Sequence, residues 1–412
     1  MISVEEAIAT ILDQIRPLGS ERVSLLNARG RILAEKIIAG LSVPPCDNSG
    51  MDGYAVRFAD IDGVSPSRPV RLGIAGDLPA GAIHSEQLQP GQALRIMTGA
   101  VIPAGADTVV KQEDTRVEGT DVIIEHEQSH GVNVRRAGED IMQGALLAPP
   151  GTLLRSAHIG VLASIKRSTV SVFQRPRVAV LSTGDELVDI YGDVGPGRIV
   201  ASNSYTLAGL VADAGAEPVM LGIARDTKEA LRERLLDAMR CDVIITTGGV
   251  SVGDYDFVKD VLQELGMDMK FWKVAMRPGQ PLAFGVIGGR PAFGLPGNPV
   301  AAMISFEQFT RPALRKMTGH TNLFRTTVEA QAAEKVATKT GKKYFIRCRI
   351  TRTETGFQAS TTGAQGSGIL RSMSAATGLM IVPEDVATVN PGDRVKVQVL
   401  DPEFAFVPQP DY

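Results

Sequence analysis

The sequence predicts a multidomain α/β plus β protein. A doubly wound parallel-sheet domain is accompanied by an inserted β domain, an N-terminal linker domain and a C-terminal β-barrel-like domain. Three observations predict it. Residues 175–322 alternate short buried-type β runs with helical stretches, the rhythm of βαβ units. Residues 46–137 hold short strand-like runs between loops such as Gly76-Asp77-Leu78-Pro79-Ala80-Gly81 and Pro103-Ala104-Gly105-Ala106-Asp107. With 412 residues, the chain exceeds one ordinary domain.

Taken in order, residues 1–45 begin with a helix. Ser3 and Glu6 have capping-box spacing, and Ile8, Ile11, Leu12 and Ile15 fall on one face. Residues 46–137 form the inserted β domain. Residues 138–174 return to extended segments and a short helix from Ser156, and are expected to join residues 1–45 as one discontinuous domain. In residues 175–322, strands are predicted at 177–182, 218–223, 243–246 and 291–295, with helices at 203–214, 257–265 and from 299 to about 317. Asp226 opens a further helix with Leu231, Leu235, Leu236 and Met239 along one face. Residues 323–412 read as a small closed or sandwich β domain, with strands at 343–352 and 394–400.

Composition removes several function classes. A net charge of −3 gives no basic footprint for nucleic acid, and 5% aromatic residues leave few stacking platforms. Cys46, Cys241 and Cys348 are odd in number and far apart, which fits a reducing compartment and neither a disulfide framework nor zinc spacing. No apolar run approaches a membrane span, and the N-terminus does not read as a signal peptide. The expected location is the cytoplasm.

The chemistry is expected in the loops that follow strands 177–182, 218–223 and 243–246. Ligands on parallel sheets sit at the carboxyl ends of the strands. These loops carry Asp185 and Glu186, Asp226, and the run Thr247-Gly248-Gly249-Val250-Ser251-Val252-Gly253-Asp254-Tyr255-Asp256. Glycine lets backbone N–H groups approach an anion, and neighbouring carboxylates suit Mg²⁺. Taken singly, Asp226 also suits a plain helix cap with Glu229 at the third helical position, and the other acids suit solvated loops. The glycine run is not a P-loop, because Asp254 stands where lysine is needed, and no G-x-G-x-x-G follows a strand. In Leu295-Pro296-Gly297-Asn298-Pro299-Val300, Asn298 is placed as N-cap and Pro299 as first helical residue, making an anion site at a helix start. Lys273 and Arg277 are cations expected near the same edge, while Trp272 reads as core. His126 and His130 have i,i+4 spacing but flank a β-type run, so zinc is not expected there. In the β domain, residues 47–56 (Asp-Asn-Ser-Gly-Met-Asp-Gly-Tyr-Ala-Val) and 96–100 (Ile-Met-Thr-Gly-Ala) are richer in polar groups than an ordinary turn requires.

These segments, in this order, resemble the molybdopterin molybdenumtransferases, the bacterial molybdenum insertases related to the C-terminal domain of gephyrin. The carriers are residues 47–55, Thr98-Gly99-Ala100, Ser182-Thr183-Gly184-Asp185-Glu186-Leu187, residues 247–253 and residues 295–300. The resemblance covers nearly the whole chain. It implies four domains, the first discontinuous and elongated, in a homodimer whose cleft combines the inserted β domain of one subunit with the α/β domain of the other. It implies adenylylated molybdopterin and molybdate as substrates, a divalent cation such as Mg²⁺, and release of AMP. Matching positions imply Asp52, Thr98, Glu186, Asp226 and Asp256 as active-site residues, with Asp226, Asp256 and Glu186 on the metal. Lys273, Arg277, Arg347 and Ser367 would meet molybdate or phosphate, and Pro296 and Pro299 would shape their loop. Gly248, Gly249, Ser251, Gly297 and Asn298 complete the expected substrate contacts.

The chain departs from the family pattern at Arg277-Pro278-Gly279-Gln280-Pro281, where many relatives have Lys-Pro-Gly-Lys-Pro, and at Ala301, where some have serine. Two alternatives stand beside this reading. One is the preceding adenylylation of molybdopterin with ATP, by an enzyme that is also a conceivable partner. The other is a pterin-binding scaffold without catalysis.

Overall fold

The computed structural model describes residues 1–249 and 257–406. Two compact units divide it: residues 22–170, and residues 1–21 with 171 onward.

The first unit is built on a six-stranded sheet. Its strands are β1 (Gly53–Val56), β2 (Val70–Leu78), β3 (Gln92–Ile96), β4 (Thr108–Lys111), β5 (Thr115–Glu118) and β6 (Asp121–Ile124), in the order β4-β1-β3-β2-β6-β5. Both faces are apolar. Tyr54, Val56, Leu72, Val110 and Val122 fill one core, and Ala55, Leu78, Leu94, Ile96 and Val109 fill the other. Alternate residues of one strand therefore serve opposite cores, as a period of two requires.

The second unit opens with helix α1 (Val4–Gln14), whose Ser3–Glu6 capping box is formed on both sides. Its buried stripe is Val4, Ala7, Ile11 and Ile15, while Ile8 and Leu12 flank it half-buried. The central sheet has strands β7 (Arg177–Thr183), β8 (Glu217–Ala224), β9 (Val243–Thr247), β10 (Asp268–Lys273), β11 (Pro281–Ile287) and β12 (Arg290–Leu295). The order is β8-β7-β9-β12-β11-β10. Strands β8, β7, β9 and β12 pair in parallel, and β12-β11-β10 continue as an antiparallel edge. That edge runs through residues 268–273 and 281–287, for which no strand was expected.

Helices cover both faces. Val178, Val180, Val243 and Ile245 point to the side of α1 and of α2 (Ser202–Asp213), while Ala179, Leu181 and Ile244 point to α3 (Lys228–Ala238) and α4 (Phe257–Glu264). Each buried leucine or isoleucine in these layers contributes roughly 1.5–3 kcal/mol. Leu231 and Leu235 of α3 are buried, but Leu236 is 49% exposed. It follows Leu235 by about 100° around the helix and so leaves the buried face. Thr227, not Asp226, caps α3, its hydroxyl accepting from the Ala230 N–H at 3.3 Å. The expected helix from residue 299 to about 317 is formed as an unbroken succession of α5 (Pro299–Ser305), a π turn over Phe306–Thr310 and α6 (Arg311–Met317). Pro312 has no N–H to give the preceding turn, which accounts for the widening.

The C-terminal sheet closes on itself. Strands β13 (Thr327–Ala332), β14 (Lys343–Thr353), β15 (Gly356–Thr361), β16 (Gly378–Val382) and β17 (Arg394–Val399) form the ring β14-β15-β13-β17-β16-β14. Closure removes free strand edges. No described helix is long and apolar enough to cross a membrane.

Two predictions follow from burial. Burial pushes the Cys348 thiol up to about 12 and raises that of Cys241, whereas Cys46 is half-buried. A thiol reagent under native conditions should therefore label Cys46 alone, with the other two reacting only in denaturant; equal native labelling of all three would contradict this packing. His320 is held down to about 4, first by burial and then by Arg315. The unfolded chain takes up a proton there near the ordinary histidine value of 6.5, and the folded chain does not. Stability should thus fall as pH drops from about 6.5 to about 4, and His320→Gln should flatten that limb of a melting-temperature profile.

Candidate active site at the sheet rim

Parallel pairing brings the ends of β7, β8, β9 and β12 to one rim. Pairings Ser182 with Thr247, Thr183 with Ala224, and Thr247 with Leu295 align the last residues of the four strands. The loops that follow carry Asp185 and Glu186, Asp226, Gly248 and Gly249, and residues 296–298.

The acids meet at the β7–β8 end. The Asp226 N–H donates to the Asp185 carboxylate at 3.3 Å. Burial, followed by the negative charges of Asp185 and Glu186, raises the Asp226 carboxyl above its ordinary range. Asp226 does not cap α3, and among the described residues no hydrogen bond to its carboxylate fully offsets this cost. The Glu186 carboxylate folds back over Gly184, where an added Cβ would lie 2.6 Å from it. Among the described residues, no three carboxylate, histidine or cysteine side chains form a ready metal cage. Asp256 and Ser251 lie outside the described residues.

Beside the acids runs the glycine turn. Gly248 and Gly249 both have positive φ, +89° and +61°. A Cβ at Gly248 would stand 2.4 Å from the Thr183 carbonyl oxygen, and one at Gly249 would stand 2.4 Å from Val258. Only glycine satisfies both the dihedral and the space. The buried Thr183 hydroxyl, close to both glycines, finds no hydrogen-bond partner among the described residues. An orphaned buried hydroxyl at a strand end is a donor awaiting an acceptor.

A residue not singled out from the sequence holds these loops together. Asn203, in the first turn of α2, donates to the Thr247 hydroxyl at 2.9 Å and to the Gly297 carbonyl at 2.8 Å. Thr247 in turn donates to the Pro296 carbonyl at 2.9 Å. Its sequence signal is the polar run Ser202-Asn203-Ser204 at a helix start, of which Asn203 and Ser204 are buried. A cavity of about 90 Å³ is lined by Thr183, Glu186, Thr247, Gly248, Gly297 and Pro299.

Asn298 occupies the N-cap position of α5 with Pro299 first, but its side chain makes no cap bond. The expected supply of open amides there is also reduced, because the Val300 N–H is taken by the Ser367 carbonyl at 3.0 Å. The Ser367 loop is shaped by Arg347, which is fully buried. Its guanidinium donates from Nε to the Ser372 hydroxyl at 2.7 Å, and from Nη2 to the carbonyls of Ala364 and Gly366 at 3.0 and 3.1 Å. Among the described residues, Nη1 finds no partner.

Cations stand at the other end of the sheet. Lys273 closes β10, opposite Pro281 of β11, on the same rim but five strands from β8. That is about 24 Å at roughly 4.8 Å per strand. Arg277 is exposed and pairs with Tyr344 of the C-terminal sheet. Lys342 donates to Gln280 Oε1 at 2.6 Å, so a cation from a separate segment reaches the position where the family pattern has lysine. Trp272 is half-buried with the Lys259 ammonium 5.3 Å above its ring, and is not a core residue.

In the other unit, the Asp52 carboxylate accepts from the Thr98 hydroxyl at 2.6 Å and the Thr98 N–H at 2.7 Å. These two bonds hold its carboxyl below the ordinary range. Both residues are exposed, and each orients the other.

Comparison with known proteins matches residues 2–165 to the MoeA N-terminal region (domain I and II). Residues 179–316 match a probable molybdopterin binding domain, and residues 329–400 match the MoeA C-terminal region (domain IV). Molybdopterin molybdenumtransferase 2 of Mycobacterium tuberculosis is 39% identical over 407 residues, covering 96% of this chain and 99% of that protein. The chain belongs to the molybdopterin molybdenumtransferase family. The enzyme of that name from Bacillus subtilis is 34% identical over 98% of this chain and 95% of its own length. Two solved structures of a molybdopterin biosynthesis MoeA protein from Pyrococcus horikoshii align with TM-scores of 0.85 and 0.83, at 32% and 29% identity. Each covers 97% of this chain, and 99% and 100% of theirs.

The glycine turn yields a paired prediction. Gly248→Ala should cost about 1–3 kcal/mol through its strained φ and its clash with the Thr183 carbonyl. Gly297→Ala should stay within about 0.5 kcal/mol, as a surface change free of such features does. A Cβ at Gly297 meets nothing closer than 3.5 Å. Denaturant melts of both variants check this, and equal losses would contradict it.

Proposed function

We propose that the rim binds the phosphoanhydride of adenylylated molybdopterin and that the enzyme inserts molybdate with release of AMP. Membership of the molybdopterin molybdenumtransferase family makes the chain an enzyme of molybdenum cofactor biosynthesis. The observation that carries the finer reading is the meeting, on one strand-end rim, of mutually repelling acids and a glycine turn with an unpaired hydroxyl. Such a surface is unfavourable when empty and is relieved by a cation and a phosphate together.

In this reading, the Gly248–Gly249 turn and the Thr183 hydroxyl receive phosphate oxygens. Asn203 keeps the turn and the residue 296–298 loop in register. A divalent cation, Mg²⁺ or another, would be held by Asp226 and Glu186, with Asp256 as a further ligand, and would neutralise charge on the leaving phosphate. Cleaving a phosphoanhydride depends on positioning and charge neutralisation more than on a covalent protein group. Lys273, Arg277 and Lys342 form the cationic end, suited to molybdate, with Arg347 shaping the Ser367 loop between. Asp52 and Thr98 would act from the inserted β domain, and a homodimer would supply them from the second subunit. The cytoplasm is the proposed location, and the adenylyltransferase of the preceding step is the proposed donor.

The test is incubation of the purified protein with adenylylated molybdopterin, molybdate and Mg²⁺, scoring AMP and molybdenum cofactor. The wild type should release both. Asp226→Ala should lower AMP release by about 100-fold or more while melting normally. AMP release unchanged in that variant, or consumption of ATP to make the adenylylated pterin, would refute the assignment.

A further inference from the structure

A second cavity, of about 450 Å³, opens where α6 meets the C-terminal barrel. Its walls come from α6, residues 323–328 and residues 399–405, none of which carries a rim residue. Three guanidinium groups, of Arg311, Arg315 and Arg325, line it.

Their charge is incompletely answered. One Glu307 oxygen serves both Arg325 Nε, at 2.7 Å, and Arg311 Nε, at 3.5 Å, and this carboxylate is only 4% exposed. Arg315 has no ion pair among the described residues and gives its Nε to the Asn322 carbonyl at 2.9 Å. The Asp401 carboxylate, also on the wall, is turned to the Glu403 N–H at 2.9 Å. Arg311 has a side chain only 11% exposed, and its Nη1 is shielded without any hydrogen-bond partner among the described residues. Buried guanidinium nitrogens are nearly always satisfied, so an orphan marks a missing acceptor.

The local field agrees with this geometry. Burial, then the neighbouring arginines, lowers the pKa of Arg315, and burial followed by Arg315 and Arg311 holds His320 to about 4. Apart from Thr326 and Asp401, the rest of the wall is apolar. Phe324 is 50% exposed, and Phe404 is braced by Phe357 with ring centroids 5.3 Å apart. Guanidinium forks recognise planar or tetrahedral oxyanions, and aromatic walls hold a flat body.

We propose that this cavity binds a small organic anion, a phosphate monoester or carboxylate carried on a flat apolar body. The anion meets Arg311 and Arg315, and the apolar body lies against Phe324 and Phe404. The site is separate from the rim and does not depend on the function proposed for it.

Calorimetric titration of the full-length protein with phenyl phosphate, benzoate and inorganic phosphate tests this. Phenyl phosphate or benzoate should bind saturably, and inorganic phosphate should bind about tenfold more weakly for want of the apolar body. Arg315→Gln and Phe324→Ala should each weaken binding by about fivefold or more while keeping the wild-type melting temperature. Asp226→Ala, at the rim, should leave it unchanged. No saturable binding of either aromatic probe up to about 10 mM, or binding that survives Arg315→Gln, would overturn the proposal.

Discussion

Parallel pairing of β7 with β8 and β9, and of β9 with β12, is the constraint from which the site follows. Four strands running the same way must end on the same side, so their loops share one rim whatever residues they carry. The buried side chains enforce that register. Val178 and Val180 enter one core and Ala179 and Leu181 the other, so a slip of one residue would send each set to the wrong layer. The Asn203–Thr247 bond and the close approach of Gly248 to Thr183 then hold the loops at distances that the sheet alone leaves free.

Along this rim, charge is graded. Asp185, Glu186 and Asp226 crowd the β7–β8 end until burial and repulsion make ionisation of Asp226 costly. Lys273 and Lys342 lie toward the antiparallel edge, with the glycine turn and the start of α5 between. The proposed ligand, with a phosphoanhydride at one end and an oxyanion to be received at the other, would lie along this order. The Arg311–Arg315–Arg325 cavity is a different case, in which cations outnumber their partners in an apolar wall.

The parallel strands and the acid loops were legible in the sequence because each rests on local pattern. A β-branched run ending in glycine and carboxylate is visible within ten residues. What was missed depends on distant partners. Local pattern left Asp226 open between a helix cap and a rim acid, and the fold gives the capping bond to Thr227. Strands β10 and β11 escaped notice because the connection between them, ending in Pro278-Gly279-Gln280, reads as loop, and only pairing reveals them. The carbonyl of Ser367 on Val300 and the contact from Lys342 to Gln280 join segments more than about 60 residues apart, and buried Arg347 reaches Ser372 across 25 residues, all beyond the reach of local pattern. Asn203 at a helix start carries a polar signal whose target lies on another strand.

The account rests on acids and amides of the rim holding a phosphate and its cation together. Its most direct test is a crystal of the protein grown with AMP and Mn²⁺, read by anomalous diffraction. The account predicts a manganese peak coordinated by Asp226 or Glu186, with the AMP phosphate against the Gly248–Gly249 turn. Manganese and phosphate bound elsewhere, with the rim bare, would contradict it.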